Sequence, residues 1–191
     1  MNTCKKVTFT TQHFYNLLDN LYISDQIATF DEDLIDSKKI EYIFNFTKFT
    51  PFLSNKTKNY HFQFLNNTND VQPVIIKIDN FVKDIFKLLS HKKNILIFCE
   101  NGSDKSLIMA GCFLIKYYNS NNILEIDDVV RFIKWKTEYS INENNKNFGI
   151  LKTYRDFLLK KPIQTVALEK VNKKNKIINF IRNHLLSKVS K

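Results

Sequence analysis

Residues 94–118 read NILIFCENGSDKSLIMAGCFLIKYY, and the order of chemistry within this stretch organises the rest of the chain. Four apolar residues, Ile95 to Phe98, run into Cys99. A short polar loop follows, Glu100-Asn101-Gly102-Ser103-Asp104, and Lys105 and Ser106 then open a long apolar pattern. A brief apolar run bounded by a turn reads as a buried strand, and residues 106–118 read as a buried helix. A strand, a tight glycine-containing loop and a helix N-terminus together form an anion site. Loop N–H groups converge there, and the helix dipole adds positive potential. A cysteine at the start of such a loop is well placed to serve as a nucleophile.

Upstream, FYNLLDNLYIS suggests a short helix passing into a strand at Leu21-Tyr22-Ile23. Residues 31–39 are polar, with Leu34 and Ile35 at helical spacing. Residues 40–47, IEYIFNFT, are rich in β-branched and aromatic side chains and predict a strand. Residues 59–64 alternate and predict another. The polar stretch 65–72 is a loop, and Pro73 suits the first turn of a helix carrying Ile78, Phe81, Val82, Ile85 and Leu89. Downstream, residues 125–138 and 148–160 each present an apolar helical face, and Pro162 breaks the second. Strands first and helices later, around one strand–loop–helix, predict an α/β domain: a central mixed sheet flanked by helices, with the loop between a buried strand and a helix.

Composition narrows the function classes. The chain has 191 residues, 43% hydrophobic and 25% charged, as in a globular domain with a full core. No apolar run reaches the roughly 18–20 residues of a membrane span, so no transmembrane segment is expected. The N-terminus lacks the apolar core of a secretory signal. Cys4, Cys99 and Cys112 show neither metal nor disulfide spacing, so no metal and no cofactor are expected, and a reducing intracellular setting is. The net charge of +10 is uneven: residues 160–191 hold nine Lys/Arg against one acid, Glu169. This divides the chain into a domain over 1–162 and a basic helical extension over 163–191. The extension reads in three ways: a solvated helix face, an Ile/Leu stripe packed on the domain or on a second copy in a homodimer, or a binder of RNA, DNA or an anionic surface.

The loop resembles the phosphate loop of the cysteine-based tyrosine and dual-specificity phosphatases, whose pattern is His-Cys, five residues, Arg, then Ser or Thr. Here Phe98-Cys99 is followed by five residues, Lys105 and Ser106. Asn20-Leu21-Tyr22-Ile23-Ser24 is similar to the family's opening strand, and Ile43-Phe44-Asn45-Phe46-Thr47 to its Ile-Leu-Asn-Val-Thr strand. The likeness covers roughly residues 15–160, and its closest flavour is the poxviral branch, which implies work in a host cytoplasm or virion.

The resemblance implies roles residue by residue. Cys99 attacks phosphorus, the 100–105 amides hold the equatorial oxygens, and Ser106 assists the departing thiolate. The family's general acid falls at Asn67, whose amide carries no titratable proton; Asp70 is the nearest carboxylate, three residues late. Lys105 keeps the charge of the family's Arg but not its bidentate fork. Phe98 replaces a His that orders the loop. Asp104 is matched in myotubularin-type lipid phosphatases, where the loop Asp takes part in proton transfer; alternatively Asp104 and Glu100 make the loop less attractive to phosphate. The bland readings are a small buried Cys99 and a solvated turn at Asn67. The sum predicts a pseudophosphatase with a degenerate nucleophile, acting on a phosphoprotein or other protein partner. The alternatives are an active, atypical cysteine phosphatase for phosphoproteins, RNA 5′-phosphates or phosphoinositides, or a scaffold acting through its basic tail.

Overall fold

The structure is a computed structural model, and it describes residues 13–49, 56–63, 72–117, 123–139, 141 and 147–160. A five-stranded sheet runs in the order β1-β2-β5-β3-β4: β1 Phe14–Leu18, β2 Leu21–Asp25, β3 Tyr42–Asn45, β4 Lys58–His61 and β5 Ile95–Cys99. β1 is antiparallel to β2. β2, β5, β3 and β4 are mutually parallel. The expected mixed sheet is therefore present. The helix expected near residue 14 is instead the first strand of a hairpin. Asn20 turns the chain at φ +68°, a left-handed conformation that asparagine tolerates, and β1 pairs back onto β2.

Burial sorts the strands. Every residue of β5 is buried because β5 is covered on both faces, as its unbroken apolar run predicts. Its odd residues Ile95, Ile97 and Cys99 join the main core, while Leu96 and Phe98 face a smaller cluster with Ile35, Ile40 and Ile43. β4 is an edge strand whose four residues are all exposed, so the half-buried face expected from its alternation is confined to Phe62, just beyond it. On the small-cluster side lie a 3₁₀ turn, Ile27–Phe30, and α1 Glu32–Ser37, whose N-cap Asp31 accepts from the Leu34 N–H. On the other side pack α2 Gln72–Ser90, α3 Lys105–Tyr117, α4 Ile126–Thr137 and α5 Phe148–Lys160. These match the expected helices within a residue or two, and α3 is buried along ten consecutive positions.

One buried acid locks three of these helices. Asp79 on α2, almost fully buried, accepts the Tyr154 hydroxyl of α5 at 2.9 Å. It also pairs with Lys116 of α3 and, at 2.9 Å, with Lys83 one turn along α2. Burial alone pushes this carboxyl up, but the hydrogen bonds from Lys116 and Lys83, the Lys116 charge and the Tyr154 hydroxyl outweigh it and hold it well below the usual carboxylate range. The same burial, with the Asp79 charge, pushes Tyr117 up to about 12. Trp135 on α4 is 44% exposed and leans on Phe132. Cys4 and the 163–191 extension lie outside the described residues.

Removing one member of this buried set strands the others. Asp79→Asn is expected to lose about 3 kcal/mol of stability in urea denaturation at pH 7. Because the folded carboxyl is depressed, its contribution is full above the unfolded value near ~3.9 and fades as pH falls through the folded one. The gap between the native chain and the variant should therefore narrow below pH ~4. A gap that is unchanged or wider there would contradict this account.

Candidate active site

β2, β5 and β3 all point their carboxyl ends to one edge of the sheet, and the loop after β5 sits at that edge. Cys99 is the last residue of β5, fully buried, beside Asp25 in the register of β2. The chain leaves Cys99 and must reach the start of α3 at Lys105 within five residues. Gly102 makes this possible. It takes φ +69°, and a β-carbon there would lie 2.9 Å from the Asp25 backbone N and 3.0 Å from the Ser24 carbonyl carbon. The loop thus lies flush on the end of β2, where the Gln26 N–H also reaches the Glu100 carbonyl oxygen at 3.4 Å. The Asp25 carboxylate caps the following turn by accepting from the Ala28 N–H at 2.9 Å.

Most of the loop's polar side chains are engaged. Cys99 Sγ lies 3.2 Å from Ser106 Oγ, which is buried in the first turn of α3. Asn101 Oδ1 is 4.0 Å from the same sulfur. Lys105 Nζ donates to both oxygens of Glu100, at 3.2 and 3.1 Å. Glu100 Oε1 also accepts from the Lys48 backbone N–H at 2.7 Å. Burial pushes the Glu100 carboxyl up, but its own N–H, the Lys48 N–H and the Lys105 ammonium outweigh this and hold it below the ordinary carboxylate range. Asp104 closes the first turn of α3, its carbonyl accepting from the Ile108 N–H at 3.0 Å. Its carboxylate accepts from the buried Asn147 amide at 3.0 and 2.8 Å, just before α5. Cys112, the second described cysteine, is sealed within α3, and burial pushes its thiol up, so it is no rival nucleophile.

A nucleophile at the end of a buried central strand, a left-handed glycine and a hydroxyl at the helix start are the parts of a phosphate loop. The sequence pattern of the dual specificity phosphatase catalytic domain matches residues 21–157. The chain belongs to the dual-specificity phosphatase family. Solved structures share the fold of this dual-specificity phosphatase homologue. A mouse putative dual specificity phosphatase, solved with zinc tungstate, is 13% identical with a TM-score of 0.66, covering 82% of this chain and 94% of that one. The human tyrosine phosphatase-like serine/threonine/tyrosine-interacting protein is 12% identical with a TM-score of 0.66, covering 78% and 99%. Human DUSP28 is 11% identical with a TM-score of 0.65, covering 76% and 95%. No curated protein sequence matches the chain.

Set against the phosphatase pattern, the expected residues fall in two groups. Cys99, Glu100, Asn101, Gly102, Ser103, Asp104, Lys105 and Ser106 come together in one loop. Asn67, with Asp70, lies outside the described residues. Phe98 points away from Cys99, to the opposite face of the sheet, where it fills the small apolar cluster. In the register it stands beside Asn45, whose Nδ2 is buried without a partner while its Oδ1 accepts from both the N–H and hydroxyl of Thr47 at 2.7 Å. Sequence reasoning missed Lys48 and Asn147 entirely. Both act across more than forty positions, with no local pattern to announce them. It gave Glu100 as a source of negative charge but not as the partner of Lys105. Among the described residues, no cluster of His, Cys, Asp or Glu could hold a metal. None of their helices is long and apolar enough to cross a membrane.

Gly102 carries the loop geometry. Gly102→Ala combines left-handed strain with a backbone clash, and is expected to cost about 2 kcal/mol in denaturant unfolding. Gly149 in the first turn of α5 has nothing within 4 Å of its missing β-carbon. Gly149→Ala should gain up to ~1 kcal/mol instead. Equal effects at the two positions would overturn the assignment.

Proposed function

We propose that this chain is a catalytically impaired dual-specificity phosphatase homologue, a pseudophosphatase working as a protein-interaction or phosphoprotein-binding module. The observation that carries the reading is the state of Lys105. The cation where the family has its Arg is an ammonium, and both oxygens of Glu100 already accept from it. An ammonium offers no planar fork for the flattened phosphoryl group of the transition state. Each oriented transition-state donor lost from a comparable site costs roughly 10²–10³ in rate. Two further departures act in the same direction. Phe98 brings neither a hydrogen bond nor a charge to the loop, and Asn67 at the acid position has no proton to give. Asp104, the other candidate acid, accepts from Asn147 on both oxygens.

The name of the human phosphatase-like interacting protein supports the idea that this fold can serve interaction. With the poxviral resemblance, the proposal extends to a chain acting in a host cytoplasm or virion. The partner class is a phosphoprotein or other protein, and the basic 163–191 extension adds a possible contact to RNA, an anionic surface or a second copy.

One contact favours a second reading. Ser106 Oγ at 3.2 Å from Cys99 Sγ is what thiolate departure needs, so an atypical cysteine-dependent phosphatase is the competing function.

The two readings separate on turnover. The native chain is expected to show no hydrolysis of an aryl phosphate above the level of Cys99→Ser, and Lys105→Arg alone should not restore it. The comparison is repeated with phosphopeptides, a 5′-phosphorylated RNA and phosphoinositides. Cys99-dependent turnover on any of these would replace the first reading by the second.

A further inference from the structure

We infer that Glu100 sets the affinity of the loop for phosphate: an internal carboxylate ligand of Lys105 that competes with a dianionic phosphate group and weakens its binding. The inference rests on the reading of residues 99–106 as a phosphate loop, and it concerns what that loop admits rather than whether it turns over.

The contact is built rather than incidental. A surface Glu–Lys pair is worth little, because both side chains are hydrated and mobile. Here the Lys105 side chain is 18% exposed and that of Glu100 43%, and the ammonium meets both carboxylate oxygens. The carboxylate is fixed from its other side by the Lys48 N–H, and the backbone of Glu100 is fixed by the Gln26 N–H. The Lys48 segment is itself anchored. Gln63 Nε2 donates to the Lys48 carbonyl at 2.7 Å, and the His61 ring lies 3.0 Å from the Thr47 carbonyl. Glu100 is therefore held from the turn after β2, from the segment after β3 and from the start of α3 together.

The charge balance follows. The loop from Glu100 to Lys105 holds two carboxylates and one ammonium. An incoming phosphate dianion meets Glu100 where it needs a donor, and it can gain Lys105 only by displacing a charge-assisted pair. The helix N-terminus and the loop amides remain, but the dianion reaches them against the like charge of Glu100. A neutral amide at position 100 removes that competition. It keeps an oxygen for the Lys48 N–H and releases Lys105 to the ligand.

The test is equilibrium binding of inorganic phosphate, with tungstate as a second oxyanion, to the full chain at pH 7 by calorimetry. Glu100→Gln is expected to bind about tenfold or more tightly than the native chain. The gain should vanish in the Glu100→Gln/Lys105→Ala double variant. Glu100→Ala is measured in parallel, so that the comparison survives if one substitution does not fold, and thermal melting confirms that each variant is folded. Equal phosphate affinity in the native chain and the folded Glu100 variants overturns the inference. So does a gain that persists without Lys105. Turnover by the native chain would sink the proposed function and leave this result standing, so the two can fail separately.

Discussion

β5 is hydrogen-bonded on both sides and buried on both faces, so it has no freedom in where it ends. Parallel neighbours on either side deliver three carboxyl ends to one edge. The helix that follows must double back over the sheet, as parallel connections require. The residues between β5 and α3 are few, and their N–H groups have no strand or helix to satisfy them. A tight loop with left-handed Gly102 resting on the Ser24–Asp25 backbone is the solution the chain adopts. The position of Cys99, the burial of Ser106 and the approach of Lys105 to Glu100 all follow from that one geometric demand. The anion-binding shape is a by-product of how a buried parallel strand turns into a helix, and it exists whether or not chemistry occurs there.

The same demand explains what could be read in advance. β5, α3, α4 and α5 declare themselves because each has one dominant signal, an unbroken apolar run or a clean 3.6-residue stripe. The Cys99 loop was legible because its parts are consecutive in sequence. β1 was not, because FYNLL lacks a period that separates helix from strand and only its hairpin partner decides. β4 was legible as a strand from its alternation, though as an edge strand with a single neighbour it has little core to face. The partners of the loop were hidden most deeply. Lys48 to Glu100 and Asn147 to Asp104 are contacts between segments 52 and 43 positions apart, and nothing local records them.

The polar buried groups divide by what they hold together. Asp79, Lys116 and Tyr154 fasten helices to one another behind the sheet, and burial of the acid costs free energy that three donors offset. Asp104 and Asn147 fasten the start of α3 to the start of α5. The first set joins α3 at Lys116, three turns along from the loop. A change at Cys99 or Lys105 therefore leaves the Asp79 set in place, whereas Asp104 belongs to both the loop and the frame.

That separation bears on the departures from the phosphatase pattern. Phe98 is not a His missing from a polar niche. It completes an apolar cluster with Ile35, Ile40, Ile43 and Leu96, where an imidazole would have to be desolvated. Beside it in the register, the Asn45 amide nitrogen is buried without a partner. Lys105, likewise, is not an Arg cut short and left idle, because Glu100 and Lys48 form a seat for its charge. Phe98 and Lys105 each sit in surroundings that suit the residue present. A catalytic site held open for substrate keeps its strong donors unspent, since satisfying them internally lowers what they can offer a transition state. Here the strongest donor is already spent on a neighbour within its own loop. On the proposed reading, the architecture of the site is kept while its strongest donor is turned inward.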